Sequence, residues 1–315
     1  AQNANITDLR EAAHQLPAVS GGEGHIEAMQ TLISSPVTTA EEKRQFEIEL
    51  VHRLLTDAKP GKARELAERL LHEAEDLDLH RLLTAIAEFS GDVNLQAEHA
   101  RLALEGLGED EDDSPFHGSL AAALAHQGDR SGALRHLDKV LEAANERQLA
   151  LNLIEASETS LTLGDAAMAK QYLAQVPDQA PHDSAWLWQI VARARLAHAT
   201  GEGFVGHAEL EAAASFHPDT ALQILNRTRV ETLIAWEELR TGSTRKAVKM
   251  ATQAVSQAET HGFSGAKLEA MEVRLIALHA SNDRKWRAAA ADAISLAEQL
   301  GRTASAQRLA AIAAG

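Results

Sequence analysis

Apolar residues recur every three to four positions along most of the chain, and the stripes they draw break at evenly spaced glycines. The stripes Ala63–Ala67–Leu70, Ala97–Ala100–Ala103, Ala133–Leu137–Val140, Ala169–Leu173–Val176, Gly206–Leu210–Ala213 and Ala247–Ala251–Ala254 each predict one face of an amphipathic helix. Breaks fall at Gly91-Asp92, Gly128-Asp129, Gly164-Asp165, Gly201-Glu202, Gly242-Ser243 and Asn282-Asp283. Gly or Asn tolerates the left-handed backbone that ends a helix. The Asp, Glu or Ser that follows suits the cap of the next one. Each break therefore predicts a tight turn inside a helical hairpin.

The register extends from the clear turns to the rest of the chain. It predicts helix pairs over 44–74 (around the Thr56–Gly61 turn), 78–106, 115–145, 148–176, 184–216, 221–260 and 265–300. A weaker pair occupies 6–35, and a lone helix over 302–314 covers the last apolar edge. Successive turn positions lie 37, 36 and 37 residues apart, then 41 and 40. A period of that size marks stacked helical hairpins, because one hairpin cannot bury its stripe alone. The expected architecture is all-α: a single solenoid over 1–315 of about eight hairpins and a C-terminal capping helix. Its parts are acidic N-terminal hairpins (6–110), central repeats (115–218) and longer C-terminal repeats with the cap (221–315). Pro36, Pro60, Pro115, Pro181 and Pro218 sit between the periodic segments, where they close or open a hairpin.

The best-formed unit is His117-Gly-Ser-Leu-Ala-Ala-Ala-Leu-Ala-His-Gln-Gly-Asp-Arg-Ser-Gly-Ala-Leu-Arg-His-Leu-Asp-Lys-Val-Leu141. Its small-residue pattern resembles the tetratricopeptide (TPR) repeat, loosely matched over 44–300 and most specifically at Gly91, Gly128, Gly164, Gly201 and Gly242. The family's usual first-helix Trp and Tyr are mostly missing, so the repeats are divergent. The longer late units, with Ser295-Leu-Ala-Glu-Gln-Leu-Gly301, are similar to the TPR arrays of bacterial signalling regulators. The resemblance implies a right-handed superhelix whose concave wall is built by the first helix of each pair. Projected onto that wall, the register selects His52, Arg81, Glu88, His126, Glu158, Trp188, Arg195, His198, Arg229, Trp236, Arg240 and His279. Among these, Trp188, Arg195, His198, Arg229, Trp236 and Arg240 combine aromatic and cationic groups on adjacent hairpins, the residue types enriched in binding hot spots. They form the candidate partner site. The competing reading is that the tryptophans fill gaps between hairpins and the arginines pair with nearby Glu. The family's carboxylate clamp needs Lys and Asn where this chain has Thr232, Trp236, Val191 and Arg195, so a chaperone-tail partner is not expected.

Composition narrows the function classes. Apolar residues make up 45% and aromatics 3%. There is no cysteine, which removes disulfides, thiolate metal sites and a cysteine nucleophile. Net charge is −16 and uneven: residues 221–315 carry 13 Lys/Arg against 9 Asp/Glu, and the first 220 carry 17 against 37. An acidic body argues against nucleic-acid binding. No run of about 18 apolar residues predicts a membrane span.

Enzyme motifs are absent or broken. Lys59-Pro-Gly-Lys62 lacks the first Gly and the Ser/Thr of a phosphate loop, Gly201-Glu-Gly-Phe204 follows a helix, and Gly262-Phe-Ser-Gly265 lacks the spacing of a nucleophile elbow. His72, His80, His99, His126 and His136 are spread over different hairpins without His-Glu-x-x-His, so no metal is expected. Arg245, Lys246 and Lys249, with Arg284, Lys285 and Arg287, suggest a solvated basic ridge or a head-to-tail contact with a second copy's acidic half.

The expectation is a non-catalytic, cofactor-free scaffold. It would hold a protein or peptide partner with acidic and apolar side chains in the groove between about 180 and 280. The alternative is a ligand- or partner-sensing domain of a bacterial regulator. The first residues, Ala-Gln-Asn-Ala, fit a mature terminus or an excised piece, and the expected compartment is the cytoplasm, with the periplasm as alternative.

Overall fold

The computed structural model describes residues 23–108, 111–142, 148–177, 184–204 and 206–314. Within them the chain is helical throughout, with no strand. The first helix, α1 (Glu23–Ser34), is followed by seven hairpins: α2 (Ala40–Thr56) with α3 (Pro60–Glu73), α4 (Leu77–Ser90) with α5 (Val93–Gly106), α6 (Ser114–Gln127) with α7 (Arg130–Glu142), α8 (Leu149–Thr162) with α9 (Ala166–Leu173), α10 (Ser184–Ala199) with α11 (His207–Ser215), α12 (Ala221–Arg240) with α13 (Thr244–His261), and α14 (Ser264–Ala280) with α15 (Trp286–Gln299). A last helix, α16 (Thr303–Ala314), closes the series. The partner helix expected before α1 lies largely outside the described residues.

Local chemistry explains the hairpins. Gly91, Gly128, Gly164, Gly201, Gly242 and Asn282 all take positive φ at the expected turns, and Ala58 does so in the first one. Asp92 accepts a hydrogen bond from the Leu95 amide and Asp165 from the Met168 amide, so each aspartate caps the helix that follows. The second helices bury their small-residue stripes completely: Ala63, Ala67, Ala133, Ala247, Ala251 and Ala254 are all at 0% exposure. Small side chains let the paired helices approach closely.

Packing follows chain order, each described helix resting on its neighbours. The first helices also touch one another in series, α2 to α4, α4 to α6, and so on to α14, forming a continuous inner layer. Beyond this, the chain meets itself. Helix α14 packs on α4, α12 on α2, and α16 on α6. Ala58 and Phe89 from the early hairpins share one apolar cluster with Ala221, Leu225, Ala258, Phe263 and Ala266.

At the centre of this seam the two backbones touch. A methyl group on Gly91 would stand 2.5 Å from the Gly265 Cα. The Val93 amide donates to the Leu300 carbonyl at 3.1 Å, and Arg302 Nε donates to the Gly91 carbonyl at 3.3 Å. The early and late hairpins therefore close on one another, a contact that the repeat pattern does not predict.

Gly265 is the position to test. A Cβ there would lie 2.6 Å from a buried Arg302 nitrogen and 3.1 Å from the Gly91 Cα. Gly265→Ala is expected to lower stability by about 1–3 kcal/mol, the usual cost of overpacking. Gly61, whose Cβ would meet nothing within 4 Å, supplies the control: Gly61→Ala should be neutral or stabilise by up to about 1 kcal/mol. Urea denaturation of the two variants checks both; equal effects would contradict the seam.

Candidate functional site

Closure leaves a cavity between the inner helices. Its residues come from successive inner helices at one- and two-turn spacing, which keeps them on one face. Helix α4 supplies Glu88 and Phe89, α6 His126, and α8 Glu155, Glu158, Thr159 and Thr162. Helix α10 supplies Trp188 and Arg195, α12 Leu222, Leu225 and Arg229, and α14 Glu269. Arg302 enters from the turn before α16, completing a cavity of about 160 Å³. A neighbouring space of about 310 Å³ shares Arg195, Arg229 and Glu269 and adds His198, Trp236, Glu272 and Arg308.

A ladder of charges separates the two spaces. Arg195 donates to Glu158 at 3.0 Å and lies 3.9 Å from Glu269. Arg229 stands 3.8 Å from Glu158 and 3.9 Å from Glu269, and Arg302 stands 3.8 Å from Glu269. The Trp188 indole donates to Glu158 at 3.2 Å. Arg308 grips Glu272 through two hydrogen bonds, 2.7 and 2.8 Å.

The titration shifts follow from this layout. Burial disfavours the Arg195 cation, but Glu158 and Glu269 outweigh it and hold the group well above its ordinary range. Burial, assisted by Arg229 and Arg195 and opposed by Glu269, brings Arg302 down to about 10. Burial would raise Glu269, yet the surrounding arginines hold it below the usual carboxylate value. His126 is pushed well below its ordinary value by burial and by Arg302, Arg195 and Arg229.

At the other end of the cavity two carboxyl groups lack a cation. Glu88 is pushed up to about 7 by burial, against hydrogen bonds from Ser119 and Gln96. Glu155 is pushed up to about 8 by burial, by Glu88 and by Glu158. Glu88 is exposed and Glu155 half-buried; both line the cavity, so water reaches them.

Of the six predicted partner-site residues, the structure brings Trp188, Arg195 and Arg229 to the cavity and His198 and Trp236 to the adjoining space. The His198 and Trp236 rings stack with centroids 3.9 Å apart. Arg240 lies outside both spaces: it is half exposed, bonded to Glu237 at 2.9 Å, and packs against Gly203. His52, Arg81 and His279 also fall outside the channel. His52 is exposed, Arg81 pairs with Asp78 and Glu111, and His279 packs edge-on against Trp286. Lys246 pairs with Glu238, which takes it out of the expected basic ridge.

Sequence reasoning missed Glu155, Thr159, Glu269 and Arg302. Glu269 was in principle readable, since it follows Arg229 by one late repeat on the same helix face. Arg302 arrives from the far end of the chain, where periodicity carries no signal.

The histidines are also corrected from scattered to paired. His80 Nδ1 meets His99 Nδ1 at 2.8 Å, and His117 Nδ1 meets His136 Nδ1 at 2.9 Å. Both pairs are 19 residues apart, and the second repeats the first one hairpin later. Each bond needs one ring to donate and the other to accept. Burial lowers His99, His117 and His136 below their ordinary value, and the facing His adds to this for His99 and His136. Among the described residues no group of three or more His, Asp or Glu is placed to hold a metal ion.

No protein-family model matches the chain, and no curated protein matches it.

Opposite pH arms follow from these shifts. The lowered histidines contribute stability above pH 6.5, their unfolded value, and lose it as pH falls below. The raised Glu88 and Glu155 contribute stability below pH 4.5 and lose it as pH rises toward about 7 and 8. Glu88→Gln with Glu155→Gln should flatten the alkaline arm of a stability–pH profile and leave the acid arm in place. An unchanged alkaline slope would contradict the assignment.

Proposed function

We propose that the chain is a non-catalytic recognition domain, a divergent TPR-like right-handed α-solenoid that senses a small ligand held in its channel. The supporting observation is the charge ladder itself. Arg195, Arg229, Glu158 and Glu269 meet across the bore from α8, α10, α12 and α14. A helix laid along the groove would have to break these pairs, and stripping one partner from a buried pair costs about 3–5 kcal/mol. A small molecule that adds to the network meets no such barrier. Ligand binding to surfaces drawn from both ends of a closed array would shift the balance between its closed and open states, which is how such a site would signal. The setting that fits is a cytoplasmic module of a bacterial signalling regulator.

A protein or peptide partner is the second reading. It is favoured by the outer space, where the half-buried Trp236 stacks on the exposed His198 beside Arg308 and Glu272. A partner's side chain entering there would meet an aromatic face and both signs of charge.

Native mass spectrometry of the protein purified without denaturation separates the two. The sensor reading predicts a retained small molecule, absent from Arg229→Ala. A polypeptide captured by the wild type and lost with Trp236→Ala and Arg195→Ala, with no small molecule retained, would replace it with the scaffold reading.

A further inference from the structure

The cavity has a charge pattern that specifies more than a general small ligand. Three guanidinium groups, Arg195, Arg229 and Arg302, are paired with two carboxylates, Glu158 and Glu269, one fewer than the cations they face. Arg229 is held at 3.8 and 3.9 Å, beyond hydrogen-bond range, and its Nε, which faces Glu269, makes no hydrogen bond among the described residues. Arg302 is anchored by one bond from Nε to Gly91, and its nearest carboxylate is 3.8 Å away. Both therefore have donors to offer an incoming anion.

Elsewhere in the same cavity the pattern inverts. Among the described residues Glu155 has neither a hydrogen-bond nor an ion-pair partner, and Glu88 has Ser119 and Gln96 and no cation. Thr159 lies on this wall at 2% exposure, and its hydroxyl has no hydrogen-bond partner. A buried hydroxyl left unbonded costs about 1–3 kcal/mol, so this one awaits a polar group from outside the chain. Phe89, Leu222 and Leu225 supply an apolar surface in the same cavity.

We infer that this cavity binds a small zwitterion of the amino-acid class, with its carboxylate on Arg229 and Arg302 and its ammonium on Glu88 and Glu155. The ligand's carboxylate answers the unmet positive charge, and its ammonium supplies the counter-ion that the Glu88–Glu155 pair, otherwise held toward its neutral form, lacks. Neither a simple amine nor a simple carboxylate answers both. The apolar surface takes the side chain, which favours an apolar amino acid over a charged one. This inference rests on the channel being the sensing site.

The test uses the full chain and the twenty common amino acids, each titrated singly by calorimetry. At least one apolar amino acid should bind. Its decarboxylated amine and its deaminated acid should each bind about 10–100-fold more weakly, the worth of a lost charge-assisted contact. Glu155→Gln should weaken the amino acid and the amine but leave the acid unaffected. Arg229→Gln should do the reverse, weakening the amino acid and the acid only. Circular dichroism melts establish that both variants remain folded; Glu88→Gln serves in place of Glu155→Gln if it does not fold.

Absence of binding by all twenty, or equal binding by the amine and the parent amino acid, would overturn the inference. If the wild type then still retains another small molecule that Arg229→Ala loses, the zwitterion is wrong and the sensor reading stands. If nothing is retained, both fall.

Discussion

Everything distinctive about this protein depends on one close contact, the meeting of Gly91 and Gly265 with Arg302 wedged beside them. Glycine is required on both sides because a Cβ on either would collide with the other backbone or with the arginine. Gly91 is doubly constrained, since it also ends α4 in the left-handed conformation. The contact converts a row of hairpins into a closed array. It brings Val93 to Leu300 and Gly91 to Arg302, so the inner helices enclose a cavity between them.

Enclosure explains the electrostatics. In an open groove the same arginines and glutamates would be hydrated, and their pairing would be worth little. Within the channel each charge needs a partner, and most have one: Glu158 answers Arg195 and Trp188, and Glu272 answers Arg308. The pairing stops short of completion at Arg229, Thr159 and the Glu88–Glu155 end. Buried polar networks that are only partly satisfied are costly, so these gaps are informative. They sit together in one cavity, which is why a ligand that completes the network is the reading we favour.

Much of the fold was legible because its causes are local. A Gly-Asp step ends one helix and caps the next within a few residues, and the alanine stripes mark which faces pair. The turns at Gly91, Gly128, Gly164, Gly201, Gly242 and Asn282 all lie where the pattern puts them. The site was legible in part. Trp188, Arg195 and Arg229 follow from projecting the register inward, but their partners did not, because a helix projection gives a face and no depth.

Arg240 fell on the predicted face yet lies outside both spaces, packed against Gly203 and bonded to Glu237. The closure was invisible for a different reason. Arg302 and Gly91 are 211 residues apart, and repetition along the chain carries no information about where its ends meet. The histidine pairs were hidden in plain spacing: a separation of 19 residues crosses the hairpin loop and has no helical period to betray it.

The central claim is the closure, and a distance across it tests the claim most directly. The chain has no cysteine, so two introduced ones can carry spin labels without background. Glu98 on α5 and Thr303 at the start of α16 are exposed and flank the Val93–Leu300 contact. Pulsed dipolar spectroscopy on this pair should give a single short, narrow distance distribution that broadens and lengthens when Gly265→Ala is added. A long, broad distribution in the otherwise unaltered protein, unmoved by Gly265→Ala, would contradict the closed array and with it the enclosed site.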